Sequence, residues 1–285
     1  QAVACARMGA KTAFVGCVGN DDAGTLLRSV LEGEGIDTSH LRTVDVPTGR
    51  AFINVDSHGE NAIVVVAGAN ALVGKEDKFV IPSSRVVLAQ LEVPLETIEL
   101  AFTQARSNGA VTVLNPAPAR DIPESLLSLA NIVVPNETES AAIGGTKNLL
   151  NLGATTVITT LGADGASIET SSSTTHIAPH KVTPIDTVGA GDAFIGATCA
   201  ELSKGASIED AARMGAIAGA LATTVKGAVP SLPTREAVLA AKASIVTVEE
   251  IVDKLTPVSG GVVIPSWVVS AVCLVSNGAH PSYAS

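Results

Sequence analysis

Short continuous apolar runs alternate with helix-length periodic segments along most of this chain, and glycine or proline punctuates them. Thr12 to Val18, Arg85 to Leu91, Val111 to Leu114, Ile132 to Val134 and Thr156 to Thr160 are such runs. Asn115-Pro116, Pro135 and Gly162 close the last three. Runs without polar alternation suit strands that are covered on both faces. Gly24 to Gly33 places Leu26, Leu27, Val30 and Leu31 on one helical face, and Leu95 to Ser107 reads as a helix closed by Asn108-Gly109. Helical patterns also open the chain from Val3 to Met8 and return at Gly191 to Leu202, Ile208 to Val225 and Arg235 to Ala243. This order predicts an α/β fold, a mostly parallel central sheet between two helical layers. Two hairpins are expected beside it. One joins Ala51 to Val55 with Ala62 to Val66 through His58 to Asn61, and the other joins Gly165 to Glu169 with Thr175 to Ile177 around Ser171 to Ser173.

Ligands of parallel sheets sit off the carboxyl ends of the strands. The suggestive polar residues fall there: Asn115, Asn136 and the Thr160 to Gly165 segment each follow a strand. A further loop, Asp186 to Asp192, enters a helix. In it Gly189, Ala190 and Gly191 precede Asp192 and then the breaker-free run from Ala193 to Leu202. Amides without side-chain cover at a helix N-terminus attract negative charge. A carboxylate in the same turn can take a proton from a hydroxyl held nearby. An anion cradle beside a base is the equipment for moving a phosphoryl group to an alcohol. Taken alone, these residues equally describe a glycine-rich turn with a favoured first-turn acid.

Bulk properties narrow the partners. Net charge is −10, and no basic patch stands out, so nucleic acid and anionic membrane are excluded. Only 2% of residues are aromatic, so the core must be built from Ala, Val, Leu and Ile. Cys5, Cys17, Cys199 and Cys273 are scattered without a C-x-x-C pair, which fits reduced thiols in a cytoplasmic protein. His176 and His180 flank Pro179 and would not share a helix face as metal ligands. The apolar run from Val262 to Val275 contains Pro265 and falls short of the roughly 20 residues that span a bilayer. It is left open as a core element or an interaction patch. The chain holds no G-x-x-x-x-G-K-[ST], no G-x-G-x-x-G after a strand and no G-x-S-x-G, so P-loop, dinucleotide and hydrolase-elbow readings fail.

Asp186-Thr-Val-Gly-Ala-Gly-Asp192 is similar to the C-terminal signature of the ribokinase-like, PfkB-type carbohydrate kinases. Other segments resemble that family in the same order: Gly59-Glu-Asn61 with Ala67-Gly-Ala-Asn70, Asn115-Pro-Ala-Pro-Ala-Arg120, Pro135-Asn-Glu-Thr-Glu139, Thr159-Thr-Leu-Gly-Ala-Asp-Gly165 and Lys226-Gly-Ala-Val-Pro-Ser231. The resemblance runs from Gln1 to about Ala243 and implies a three-layer α/β/α kinase domain over 1–256 with a small β-lid at about 51–66. Residues 257–285 are left unassigned.

The resemblance further implies ATP-dependent phosphorylation of D-ribose on O5. Asp192 would be the base, and Gly189, Ala190 and Gly191 would hold charge on the transferring group. Glu92 and Asp192 would bind the sugar; read alone, Glu92 is a solvated loop acid. Asn136 and Glu139 would organise the phosphates and Mg²⁺, although on spacing alone they describe a helix cap with an exposed acid. Thr160, Leu161, Gly162, Ala163, Asp164 and Gly165 would line the nucleotide pocket with Gly191 and Asp192. Ala216 stands where the family often has a nucleotide-contacting Asn. Asp186, Val188, Ala222, Val225, Gly227 and Ser231 match a K⁺ site built mostly from backbone carbonyls. A homodimer formed through the lid is also implied.

Departures accompany the match. Gln1 falls inside a helical pattern, and the family's first strand, its sugar-binding Asp and its Gly-Gly-Lys-Gly-Ala-Asn stretch precede that point. A truncated sequence with a half-built sugar site and a lid short of partner strands is therefore expected. Between Gly145 and Leu149 only a few residues stand where the family has most of a helix. Three readings follow: a ribose kinase, a kinase of another sugar or nucleoside such as fructose or adenosine, and a relative that binds nucleotide without turnover.

Overall fold

The computed structural model describes residues 1–55, 61–76, 78–247 and 272–276. The chain opens with α1 (Ala2–Arg7), β1 (Lys11–Gly19), α2 (Asp22–Gly33), β2 (Leu41–Val44) and the pair β3 (Arg50–Val55) and β4 (Asn61–Val66). It continues through β5 (Val86–Gln90), α3 (Leu95–Ser107), β6 (Val111–Asn115), α4 (Glu124–Leu127), β7 (Ile132–Val133), α5 (Glu137–Ala142), α6 (Thr146–Asn151) and β8 (Thr156–Thr160). The antiparallel β9 (Ala166–Glu169) and β10 (Thr174–Ile177) precede α7 (Ala190–Ser203), α8 (Ile208–Ala222), α9 (Ala228–Ser231) and α10 (Arg235–Thr247). Last comes β11 (Val272–Ser276).

The central sheet runs β10-β9-β8-β7-β6-β5-β11-β1-β2. The strands from β5 to β8 pair in parallel, as do β1 and β2. Each buried strand serves both faces. Val86 and Leu88 of β5 join a cluster with residues of α1, α7 and α8, whereas Val87 and Ala89 join one with residues of α3 and α4. That alternation makes the three layers. Fully buried side chains such as Ile98 and Leu114 each contribute about 2 kcal/mol.

Small residues replace the missing aromatics where helices meet. A Cβ on Gly215 of α8 would collide with the Thr198 hydroxyl and come within 2.8 Å of the Phe194 carbonyl, so α7 and α8 pack closely only because Gly215 has none. The sequence pattern carried α8 to Val225, but the helix stops at Ala222. The Thr223 carbonyl instead receives the amides of Ile185 and Asp186, at 2.7 and 3.0 Å, and turns the chain into a loop. α6 occupies the stretch after Gly145 where only a helix remnant was expected.

The unassigned C-terminal region contributes β11 to the middle of the sheet. It pairs antiparallel with β1 (Val15 with Val272, Lys11 with Ser276) and with β5 (Leu88 with Cys273, Val86 with Val275). Val272, Cys273, Leu274 and Val275 are all buried. The rest of 257–285, including most of the apolar run from Val262, lies outside the described residues. β3 and β4 form a separate two-stranded sheet from the Arg50–Val66 pair to Val55–Asn61; the turn at 56–60 lies outside the described residues.

Candidate active site

Parallel pairing brings the carboxyl ends of β5, β6, β7 and β8 to one edge of the sheet. Glu92 follows β5, Asn115 ends β6, Asn136 follows β7 and Thr160 ends β8. Asn136 and Thr160 form an isolated parallel bridge, and the Thr160 amide donates to the Pro135 carbonyl at 3.0 Å. The Gln1 side-chain amide donates to Asn115 Oδ1 at 2.9 Å and accepts from Gln90 Nε2. Asn115 Nδ2 in turn donates to the Val134 carbonyl at 2.9 Å. These amides tie together the carboxyl ends of neighbouring strands.

The start of α7 comes near this edge of the sheet, close enough for the Asp192 charge to act on Glu92. Gly189 caps the helix with φ +83°, a left-handed conformation that glycine adopts without strain, and makes no side-chain cap. The first bond of the helical ladder runs from the Ala193 amide to the Gly189 carbonyl at 2.9 Å. The Ala190 amide bonds to the Thr187 carbonyl at 3.2 Å. The amides of Gly191 and Asp192 therefore stand ahead of the ladder, at the positive end of the helix dipole. Gly191 is exposed, and no atom lies within 4 Å of where its Cβ would be. The amides left open to an anion are thus those of Gly191 and Asp192, with Gly189 shaping the turn.

Asp192 and Glu92 face each other electrostatically. Burial, reinforced by the negative charge of Asp192, lifts the Glu92 carboxyl to about 7. A carboxyl so placed carries a proton for part of the time at neutral pH and can donate a hydrogen bond as well as accept one.

Asn136 and Glu139 form a capping box at the start of α5. The Glu139 amide donates to Asn136 Oδ1 at 2.7 Å, and the Asn136 amide donates to Glu139 Oε2 at 2.9 Å. Burial holds the Glu139 carboxyl above its usual range, against the opposing effect of the Asn136 amide. The cap and the expected phosphate role fall on the same two side chains. Beyond β8 the Leu161 amide bonds to the Gly165 carbonyl at 2.8 Å, and Gly162, Ala163 and Asp164 form an exposed single turn. Ala216 stands in the core cluster with α7 and α8 and offers only a methyl group.

Asp186, Val188, Ala222, Val225, Gly227 and Ser231 come together although the sequence separates them. Asp186 Oδ2 accepts from the Gly227 amide at 2.9 Å, and Oδ1 accepts from the Val188 amide at 3.0 Å. Those two bonds, the Gly227 one foremost, hold the Asp186 carboxyl below its usual range. Ser231 is buried; its hydroxyl donates to the Ala228 carbonyl at 2.7 Å and lies 3.5 Å from the Val188 carbonyl. The Val225 amide bonds to the Ala222 carbonyl at 3.3 Å. The oxygens gathered here, the Asp186 carboxylate, the Ser231 hydroxyl and the Val188 carbonyl, are of the kind that a hard cation takes. The motif reading missed Gln1 and Gln90, although a glutamine ending an apolar strand two residues before Glu92 was a signal it could have used.

A mostly parallel sheet of this topology, with an acid in the first turn of a glycine-started helix, is that of enzymes that transfer a phosphoryl group to an alcohol. The chain belongs to the pfkB family of carbohydrate kinases, whose family model matches residues 1–235. It is 40% identical over 256 residues to the ribokinase of Haemophilus influenzae, covering 84% of each chain. The same identity and coverage hold for the ribokinase of Staphylococcus aureus. The crystal structure of Thermotoga maritima ribokinase matches with a TM-score of 0.74 at 33% identity over 85% of each chain. Arabidopsis thaliana ribokinase complexed with ribose and ATP gives 0.74 at 29% identity over 84% of each chain.

Proposed function

We propose that this kinase transfers the γ-phosphoryl group of ATP to O5 of D-ribose, giving ribose 5-phosphate and ADP. One observation carries the proposal: Glu92 is placed to feel the charge of Asp192 where α7 begins on bare amides. Asp192 takes the O5 proton as the oxygen attacks. The Gly191 and Asp192 amides stabilise charge on the transferring group, a mainly electrostatic task. Glu92 holds a ribose hydroxyl. The 160–165 turn lies beside the Asn136 cap and lines the nucleotide. The ribokinase relatives and the Arabidopsis complex support ribose and ATP as substrates.

Asn136 and Glu139 would organise Mg²⁺ with the phosphates, and that ion would neutralise phosphate charge. The Asp186–Ser231 cluster would hold K⁺, which adds positive potential beside the cradle of an acidic protein. Phe52, Val64 and Val66 are exposed on one face of the β3–β4 sheet and supply the apolar surface for a homodimer through the lid. The four cysteines are buried and unpaired, which suits a cytoplasmic location, and no helix among the described residues is long and apolar enough to cross a membrane.

The test is ADP release at fixed ATP with ribose, fructose and adenosine as acceptors. Ribose-dependent release with the highest kcat/KM supports the proposal. Preference for another acceptor moves it to a sister activity, and ATP binding without release from any acceptor refutes the transfer chemistry.

A further inference from the structure

Arg7 lies in the last turn of α1, outside the motifs that carry the chemistry. Its guanidinium is used on two sides at once. Nε donates to both carboxylate oxygens of Glu34 at 3.1 Å, and Nη2 donates to Glu34 Oε1 at 2.5 Å. On the other side, Nη1 donates to the Val229 carbonyl at 2.9 Å and to the Leu232 carbonyl at 2.7 Å. Arg7 and Glu34 side chains are only 22% and 23% exposed, so the fork is partly withdrawn from water and its charge-assisted bonds are the strong kind.

Those two carbonyls bracket Ser231. α9 is a turn of four residues, too short to hold its own shape. Its N-cap is Gly227, whose amide binds Asp186, and its last residue is Ser231, whose hydroxyl faces the Val188 carbonyl. The segment that supplies oxygens to the cation cluster is therefore clamped at positions 229 and 232 by one side chain from the far end of the chain. Glu34 fixes the plane of that side chain.

We propose that Arg7 is a positioning residue for the cation loop, holding Val229 to Leu232 so that the Gly227 amide stays on Asp186 and the Ser231 hydroxyl stays beside the Val188 carbonyl. This rests on the reading of Asp186 to Ser231 as a monovalent-cation site. The role acts through geometry, and its sign differs from that of charge. Deleting a positive charge would by electrostatics help a cation bind; loss of the clamp weakens binding. Lysine cannot replace the fork, because an ammonium has no planar set of donors to span Glu34 and two carbonyls.

The test is thermal denaturation across a KCl series, with tetramethylammonium chloride holding ionic strength constant. Wild type should gain Tm with KCl. In Arg7→Met the KCl concentration giving half of the gain should rise about tenfold, in line with the loss of an orienting partner at a metal site. Glu34→Gln should shift it in the same direction by less. A lower baseline Tm alone counts for nothing, since any lost contact does that. A midpoint equal to or below wild type in Arg7→Met overturns the proposal and leaves the cation site standing. Absence of a K⁺-specific gain in wild type overturns the cation reading and the proposal with it. If Arg7→Met does not fold, Arg7→Lys keeps the charge, loses the fork and takes the same comparison.

Discussion

Glu92, just beyond β5, feels the charge of Asp192 in the first turn of α7: burial, and then that charge, raise the Glu92 carboxyl to about 7. The folded-state value lies above the ordinary 4.5, so the folded protein holds this proton more tightly than the unfolded chain. The stability it brings is complete below pH 4.5 and is lost as pH rises through 7. The loss is on the order of 3 kcal/mol. Urea denaturation of wild type should therefore show stability falling across that window, and Glu92→Gln should flatten the fall. An identical slope in the variant refutes the assignment.

Removing the partner charge should act on the same proton. Asp192→Asn keeps the shape and deletes both the base and the neighbouring charge. Turnover should fall by roughly 100-fold or more, while thermal stability at pH 5 stays close to wild type. Because one of the two causes of the upward shift is gone, the pH window seen in urea should move to lower pH in Asp192→Asn. Unchanged turnover removes Asp192 from the chemistry; an unmoved window removes it from the pair.

The two glycines of the α7 start should respond differently. Gly189 has φ +83°, and a Cβ there would sit 3.2 Å from Ala228 Cα and the Ala228 carbonyl oxygen and 3.3 Å from the Ser231 hydroxyl. Gly189→Ala should cost about 1–2 kcal/mol and disturb the cation loop as well as the cradle. Gly191 has open space and an ordinary φ, so Gly191→Ala should leave the melting temperature unchanged or raise it. Its methyl still stands in front of the amides meant for phosphate, so kcat should fall. Paired melts and initial rates decide this: a stability loss in Gly191→Ala, or none in Gly189→Ala, contradicts the geometry.

Legibility in the sequence followed locality. Leu95–Ser107 was readable end to end because Pro94 and Asn108-Gly109 bracket an amphipathic repeat. Strands ending at Asn115-Pro116 and Pro135 announced their own limits and put Asn115 and Asn136 at the carboxyl edge of the sheet. α5 was half visible: the Asn136–Glu139 spacing gave the cap but not the short helix behind it. β2 alternates buried, intermediate and exposed positions over Leu41–Val44, too weak a pattern to register. The cation cluster needed the resemblance, because backbone carbonyls leave no side-chain trace. The Gln90–Gln1–Asn115 chain and the Arg7 bonds to the Val229 and Leu232 carbonyls join positions 89 to 225 residues apart, and no local period encodes such contacts.

β11 is the furthest case of that rule and gives the last prediction. Its residues are apolar, but nothing nearby says that they pair with β1 and β5, whose partners Val15 and Val86 lie far back in the chain. Val272 and Leu274 pack into one core layer and Cys273 and Val275 into the other. Deleting the chain beyond Thr247 removes these four side chains and leaves the inner edges of β1 and β5 unpaired. At about 2 kcal/mol for each large apolar residue, the loss is a major share of a domain stability of roughly 5–15 kcal/mol, before the unsatisfied strand edges are counted. The truncated protein should be insoluble or lack a cooperative melt, and Leu274→Ala in the full chain should cost about 2–5 kcal/mol by urea denaturation. A soluble truncation with the wild-type melting temperature would mean that the sheet closes without β11, with β1 and β5 meeting in another way.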